Sequence, residues 1–242
     1  MSSNKNTFFA EIDELASEYD EQAMKNALSA IDKMNINQAN VSHRVGLLRR
    51  KGEYLYILSN YESDKDKRIA MLEAAFESAK KGHELNPNDF ECCKVLCSTS
   101  GRLAEESSLR KRVNYGFQFK NYLDKAISID DNDFETLHMR GRFCYTVAAL
   151  SVIERMAAKV IGQIPDVSYS DALADLIKAE GIIPGVAENQ LFIGKTYLAM
   201  NDFKNAKLWL RTASQNEADG AVEQEHVESA RELLTDKRLN SV

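Results

Sequence analysis

Proline is scarce in this chain, with 3 among 242 residues, and glycine is limited to 11. So few breakers, beside abundant Ala, Leu, Glu and Lys, exclude a loop-rich fold and favour helices throughout. No stretch alternates apolar and polar residues for long enough to argue a strand. No apolar run approaches the ~20 residues that a membrane-spanning helix needs. The first twenty residues, MSSNKNTFFAEIDELASEYD, lack the apolar core of a secretory signal, and their acidity argues against a mitochondrial presequence. A cytoplasmic protein with no membrane anchor is therefore expected.

Chemistry-bearing motifs are also missing. The four cysteines, Cys92, Cys93, Cys97 and Cys144, include a C-C-x3-C spacing within one expected helix, not the paired hooks of a structural zinc site. Without an export signal they are not expected to form disulfides, and buried free thiols are the simplest reading. The histidines (His43, His83, His138, His226) show no ligand spacing. Glu105-Glu106 and Asp130-Asp131 are adjacent on a helix or at its cap, where neighbouring side chains diverge. There is no glycine-rich phosphate loop, nucleophile elbow or metalloprotease motif. No catalysis, cofactor or metal is expected. The net charge of −6 gives no reason to expect nucleic acid as a partner.

What is present is periodicity. Residues 187–220, AENQLFIGKTYLAMNDFKNAKLWLRTASQNEADG, place Gly194, Tyr197, Ala206, Leu210 and Ala213 in the small and large slots of a 34-residue helix–turn–helix, the tetratricopeptide repeat. The second-helix pattern returns at Ala172, Leu176, Ala179 and Pro184. LNPNDFE and IDDNDFE, at 85–91 and 129–135, are matching stop-and-start signals in which Asn or Asp caps the next helix. The small first-helix sites are Gly52, Cys97, Gly141 and Gly194, spaced by 45, 44 and 53 residues. The excess over the repeat length falls within each pair, at SNYESDKDKR, near EESSLRKRVN and at AALSVIERMAAKVIGQIPD. The third excess, residues 148–166, is apolar at 150, 152, 153, 156, 157, 160 and 161. That spacing predicts an extended or additional helix packed on one face and stopped at Ile164-Pro165.

The expected fold is all-α: a single domain over 1–242, built as a tetratricopeptide-like solenoid of antiparallel helix pairs. A capping pair occupies 7–34, four degenerate units fill 45–220 with an inserted helix in the third, and a last helix at 221–236 closes the stack. First helices of such a stack line a concave groove. Positions i, i+4 and i+7 put Arg49, Glu53 and Tyr56 there from the first pair, and Lys94 and Ser98 from the second. His138, Arg142 and Tyr145 come from the third pair, and Leu191, Lys195 and Leu198 from the fourth. Four cations and two tyrosines with one acid, Glu53, suit an extended acidic peptide. A second basic feature is a candidate rim at Arg102, Arg110, Lys111, Arg112 and Lys120. Arg140 falls on the packing side and needs a carboxylate partner or a way out to solvent.

Two stretches carry a family resemblance. NYGFQFKNYLDKAISID at 114–130 and HMRGRFCYTVAALSVIERMAAKVIGQIP at 138–165 closely resemble the regulator of microtubule dynamics family, from about residue 40 to 215. The resemblance implies a helical repeat protein associated with microtubules and spindle poles, whose anchored relatives are found at mitochondria. Tubulin tails are acidic and disordered, which suits the basic groove. The expectation is a non-catalytic scaffold that binds microtubules or tubulin and modulates their dynamics, with other spindle proteins as further candidate partners. The alternative is an adaptor that binds an acidic peptide of another protein, so that microtubule contact is indirect.

Overall fold

The computed structural model describes residues 8–161, 164–218 and 220–240. Among them every regular element is helical: twelve α-helices and two short 3-10 turns. Local chemistry explains most of the starts. Asp20, Asn40, Asp64, Asp89, Asp133 and Asp202 each accept a hydrogen bond from a backbone N–H three residues on. Ser168 and Asp171 form a reciprocal capping box. Each such cap holds its helix start by about 1 kcal/mol. Asp89 and Asp133 are the caps foreseen in NPNDFE and DDNDFE.

The chain divides into two compact units, one ending at Ile129 and the other beginning at Asp130. In the first unit, α1 (Ala10–Leu15) and α2 (Glu21–Lys33) precede α3 (Val41–Ser59), α4 (Lys65–Leu85), α5 (Phe90–Glu106) and α6 (Leu109–Ile129). Helices α3 and α4 pair, as do α5 and α6, and α4 packs on α5. Ile12, Met24, Ala27 and Ile31 close against Leu47, Tyr54 and Leu58 of α3. Leu72, Phe76, Ala79, Val95, Leu96 and Leu103 form a second cluster. The extra residues of these pairs lengthen the helices and leave short turns. Helices α3 and α4 run 19 and 21 residues, against 13 and 12 in the most regular pair near the C-terminus.

In the second unit, α7 (Phe134–Ala148) pairs with α9 (Tyr169–Ile182), and α10 (Ala187–Ala199) pairs with α11 (Phe203–Ser214). Helix α12 (Ala221–Leu233) packs on both α10 and α11. Gly141 and Gly194 sit where the paired helices touch. A Cβ on Gly141 would lie 2.5 Å from Leu176 Cγ, and one on Gly194 would lie 2.8 Å from Leu210. Arg140 finds its carboxylate in Asp175 of α9, with Nε and Nη2 each 2.6 Å from a different oxygen.

The third excess is an additional helix, α8 (Val152–Ile161), between α7 and α9. Its packing departs from expectation. Val152, Ile153, Met156 and Val160 are 73%, 80%, 66% and 88% exposed, so the apolar side of α8 faces solvent. Arg155 tethers the helix by donating to the carbonyls of Val147, Ala148 and Leu150 at the end of α7. Gly162 and Gln163 of the same stretch lie outside the described residues. Together, helices of matched length, pairwise packing and glycine-mediated contacts make each unit a set of tetratricopeptide-like antiparallel pairs.

Candidate partner-binding face

The second unit gathers three helices whose side chains meet on one face. His138, Arg142 and Tyr145 come from α7, Glu188, Phe192 and Lys195 from α10, and His226 from α12. Both triplets follow the same i, i+4, i+7 rule, which keeps side chains on one helical stripe. Phe192 is the centre. The Arg142 guanidinium lies 5.0 Å from its ring centroid and the Lys195 ammonium 4.9 Å. His138 and Tyr145 meet the same ring edge-on, with centroids at 6.3 and 5.7 Å, and Tyr169 of α9 lies 5.6 Å from Tyr145. Cations over aromatic rings keep much of their charge available to a ligand while their stems are desolvated.

Glu188 is the acid of this cluster. Its carboxylate lies 2.6 Å from Arg142 Nη1, 3.3 Å from His138 Nε2 and 3.8 Å from His226 Nε2. Burial opposes its ionisation most, yet the His138 contact and the charges of Arg142 and the two histidines together outweigh burial and pull it down to about 2. Lys195 is lowered, first by burial and then by repulsion from Arg142. Tyr145 is raised, chiefly by burial.

Several expected groove residues sit elsewhere. Leu191 and Leu198 are 1% and 7% exposed and belong to the core with Ala206, Leu210, Ala213 and Ala230, so the α10 stripe starts one turn earlier, at Glu188. Apolar side chains at these positions gain more by leaving water than by lining a polar face. His138 is also inside. It is 7% exposed and its Nδ1 is 3.0 Å from Asn189 Oδ1, whose amide in turn donates to the Leu176 carbonyl and to Glu180. Glu53 is not the single acid among these stripes, because Glu188 stands on that of α10. The sequence signal for it is the E-x3-F-x2-K spacing of α10, which repeats the H-x3-R-x2-Y spacing of α7.

In the first unit, Arg49 pairs with Glu53 on its own helix at 3.0 Å. Lys94 lies 4.0 Å from Glu91 and 5.4 Å from the Phe90 ring centroid, with its side chain 16% exposed. Tyr56 packs against the Leu72–Phe76 cluster. At the expected rim, Arg102 lies 3.5 Å from both Glu105 and Glu106, and Glu106 also bonds Arg68 at 2.9 Å. Arg112 donates to the Ala104 carbonyl and Lys120 pairs with Asp124. Arg110 and Lys111 are exposed.

All four cysteines are buried. Burial pushes Cys93 up to about 11 and raises Cys92 and Cys97 further, so a nucleophilic thiolate is disfavoured at these three. Among the described residues, no group of three or more His, Cys, Asp or Glu side chains is placed to hold a metal ion. A cleft of about 470 Å³ against α1 and α2 is lined by one acid, Glu11, and one base, Lys33, amid apolar side chains, the Asn26 amide and the Ser29 hydroxyl. No described helix is long and apolar enough to cross a membrane.

Comparison with known proteins agrees with this architecture. A family model described as regulator of microtubule dynamics protein 1-3 matches residues 8–239. Regulator of microtubule dynamics protein 1 of Caenorhabditis elegans is 30% identical over 78% of this chain and 83% of its own length. Regulator of microtubule dynamics protein 2 of Homo sapiens is 32% identical over 63% of this chain and 37% of its own length, so the chain spans only about a third of that relative. The fold is similar to that of a thermophilic tetratricopeptide protein of Thermus thermophilus, with a TM-score of 0.50 at 16% identity, covering 86% of this chain and 98% of that one.

Proposed function

The chain belongs to the regulator of microtubule dynamics family, and from that premise we propose that it is a non-catalytic scaffold that binds microtubules or tubulin through their acidic segments and so alters microtubule dynamics. The observation that carries this reading is the placement of Arg142 and Lys195 over the same half-buried Phe192 ring, beside Tyr145 and Tyr169. Two cations on an aromatic platform hold a carboxylate by charge while the rings cover the peptide backbone. His138 acts from inside by orienting Glu188. Arg49, Tyr56 and Lys94 of the first unit add weaker, secondary contacts, and Arg110, Lys111 and Arg112 add a screened, longer-range attraction. Spindle microtubules and spindle poles are the proposed location.

Co-sedimentation with microtubules across a salt series tests this. Binding is expected to weaken steeply with salt, because exposed charges are screened over about 8 Å at physiological ionic strength. Removal of the acidic tails from the microtubules abolishes it. Undiminished binding to tail-less microtubules, or by Arg142→Glu with Lys195→Glu, overturns the face. The exposed apolar side of α8 favours a second reading, an adaptor that reaches microtubules through another protein. Purified tubulin separates the two, since an adaptor does not bind it alone.

A further inference from the structure

Glu188 occupies Arg142, one of the two cations that the proposed ligand would use. Its Oε1 faces Arg142 Nη1 at 2.6 Å and His226 Nε2 at 3.8 Å, and its Oε2 faces His138 Nε2 at 3.3 Å. One planar two-oxygen group thus joins α7, α10 and α12. Its side chain is 24% exposed, so it is not sealed from solvent. Lys195 lies over Phe192, 4.9 Å from the ring centroid, and the charges that act on it are Arg142, which repels it, and Glu188.

We infer that Glu188 is a resident carboxylate, standing where a carboxylate of an incoming acidic segment binds, and that the face opens by exchanging the one for the other. This rests on the acidic-segment reading above and deepens it in two ways. It names the ligand group as a carboxylate, since Arg142 and the two histidines already face a planar group through both of its oxygens. It also makes Glu188 the residue that sets affinity. An intramolecular carboxylate competes at high effective concentration, so only a segment presenting several carboxylates in sequence displaces it. A single acidic side chain does not. Displacement costs little covalent strain, because glutamate swings about three side-chain bonds and its side chain is already part-exposed.

The test is a titration of a fluorescent hexaglutamate peptide, at low salt, into the full chain and its variants, read by anisotropy. Glu188→Gln keeps the size and the polar contact with His138 but removes the competing charge, and is expected to bind about three- to tenfold tighter than the parent chain. Lys195→Glu is expected to lose binding. In an Arg142→Ala background, Glu188→Gln is expected to gain nothing, a result that a purely structural role for Glu188 does not produce. Should Glu188→Gln melt early, Glu188→Asp, which withdraws the carboxylate by one methylene, is expected to shift affinity the same way. The inference is overturned if Glu188→Gln, folded by circular dichroism, binds hexaglutamate no better than the parent while Lys195→Glu still loses binding. The face reading then survives. Failure of the parent and of Glu188→Gln alike to bind hexaglutamate overturns both. Tighter binding of a phosphoserine peptide without any gain for hexaglutamate overturns the carboxylate assignment.

Discussion

The two units apply the same helical spacing to charge and reach different outcomes. In the first, the cations of the expected groove stripes meet an acid of their own helix: Arg49 pairs with Glu53 four residues on, and Lys94 lies 4.0 Å from Glu91 three residues back. On the corresponding stripes of the second, charge is shared between helices, with Glu188 of α10 drawing on Arg142 and His138 of α7 and His226 of α12. A pair within one helix contributes about 0.3–0.5 kcal/mol and persists whatever the neighbours do. A pair between helices exists only when the helices are packed, and it reports on that packing. Basic residues with the same spacing are therefore not equivalent as binding groups.

The largest expected effect that sharpens this contrast is on acid stability. Glu188 sits at about 2 in the folded chain against an ordinary value of 4.5. The folded state thus binds fewer protons than the unfolded state between those values. Stability from Glu188 is complete above pH 4.5 and drains away as the pH falls toward 2, by up to about 3 kcal/mol. Denaturant melts of the parent and of Glu188→Gln between pH 6 and 3 should converge as the pH drops. Parallel curves would show that Glu188 is not held by its neighbours.

Next in size is a pair of glycine substitutions with opposite signs. Gly141→Ala puts a methyl group against Leu176 and the Ala172 carbonyl, and is expected to cost about 2 kcal/mol. Gly116→Ala in α6 meets nothing within 4 Å and is expected to stabilise by up to about 1 kcal/mol through helix propensity. Thermal melts of the two variants measure both signs.

Microtubule binding comes third. Arg142→Glu is expected to weaken binding about tenfold, because Arg142 shares the Phe192 platform with Lys195, and Arg49→Glu no more than about threefold, because Arg49 stands outside that platform. Equal losses in co-sedimentation would erase the distinction between the units. The smallest effect is expected on α8. Met156→Gln with Val160→Gln should leave stability within about 0.5 kcal/mol, since both side chains are in water already. A clear loss of stability would show that the apolar side of α8 is covered in solution.

Much of this molecule is legible in its sequence. The helix starts at Asp89 and Asp133, the glycine contacts at Gly141 and Gly194, and the extra helix at 152–161 all follow from local chemistry and spacing. So do four members of the face in the second unit, His138, Arg142, Tyr145 and Lys195. Phe192 and Glu188 escape a sequence reading because the apolar Leu191 and Leu198 share the helix with Lys195 at the same spacing, and His226 escapes it because it stands on the closing helix α12. Periodicity identifies a stripe without saying which stripe faces the core.

The local determinants, caps, breakers and small residues, act within a few positions along the chain, and sequence alone determined them. Which carboxylate answers Arg140, which acid fills the cluster around Phe192 and which side of α8 is left in water depend on groups 35 or more positions apart, or on neighbours that fail to arrive. Those choices were made by the tertiary structure, because burial and ion pairing depend on distance in space and not on separation along the chain.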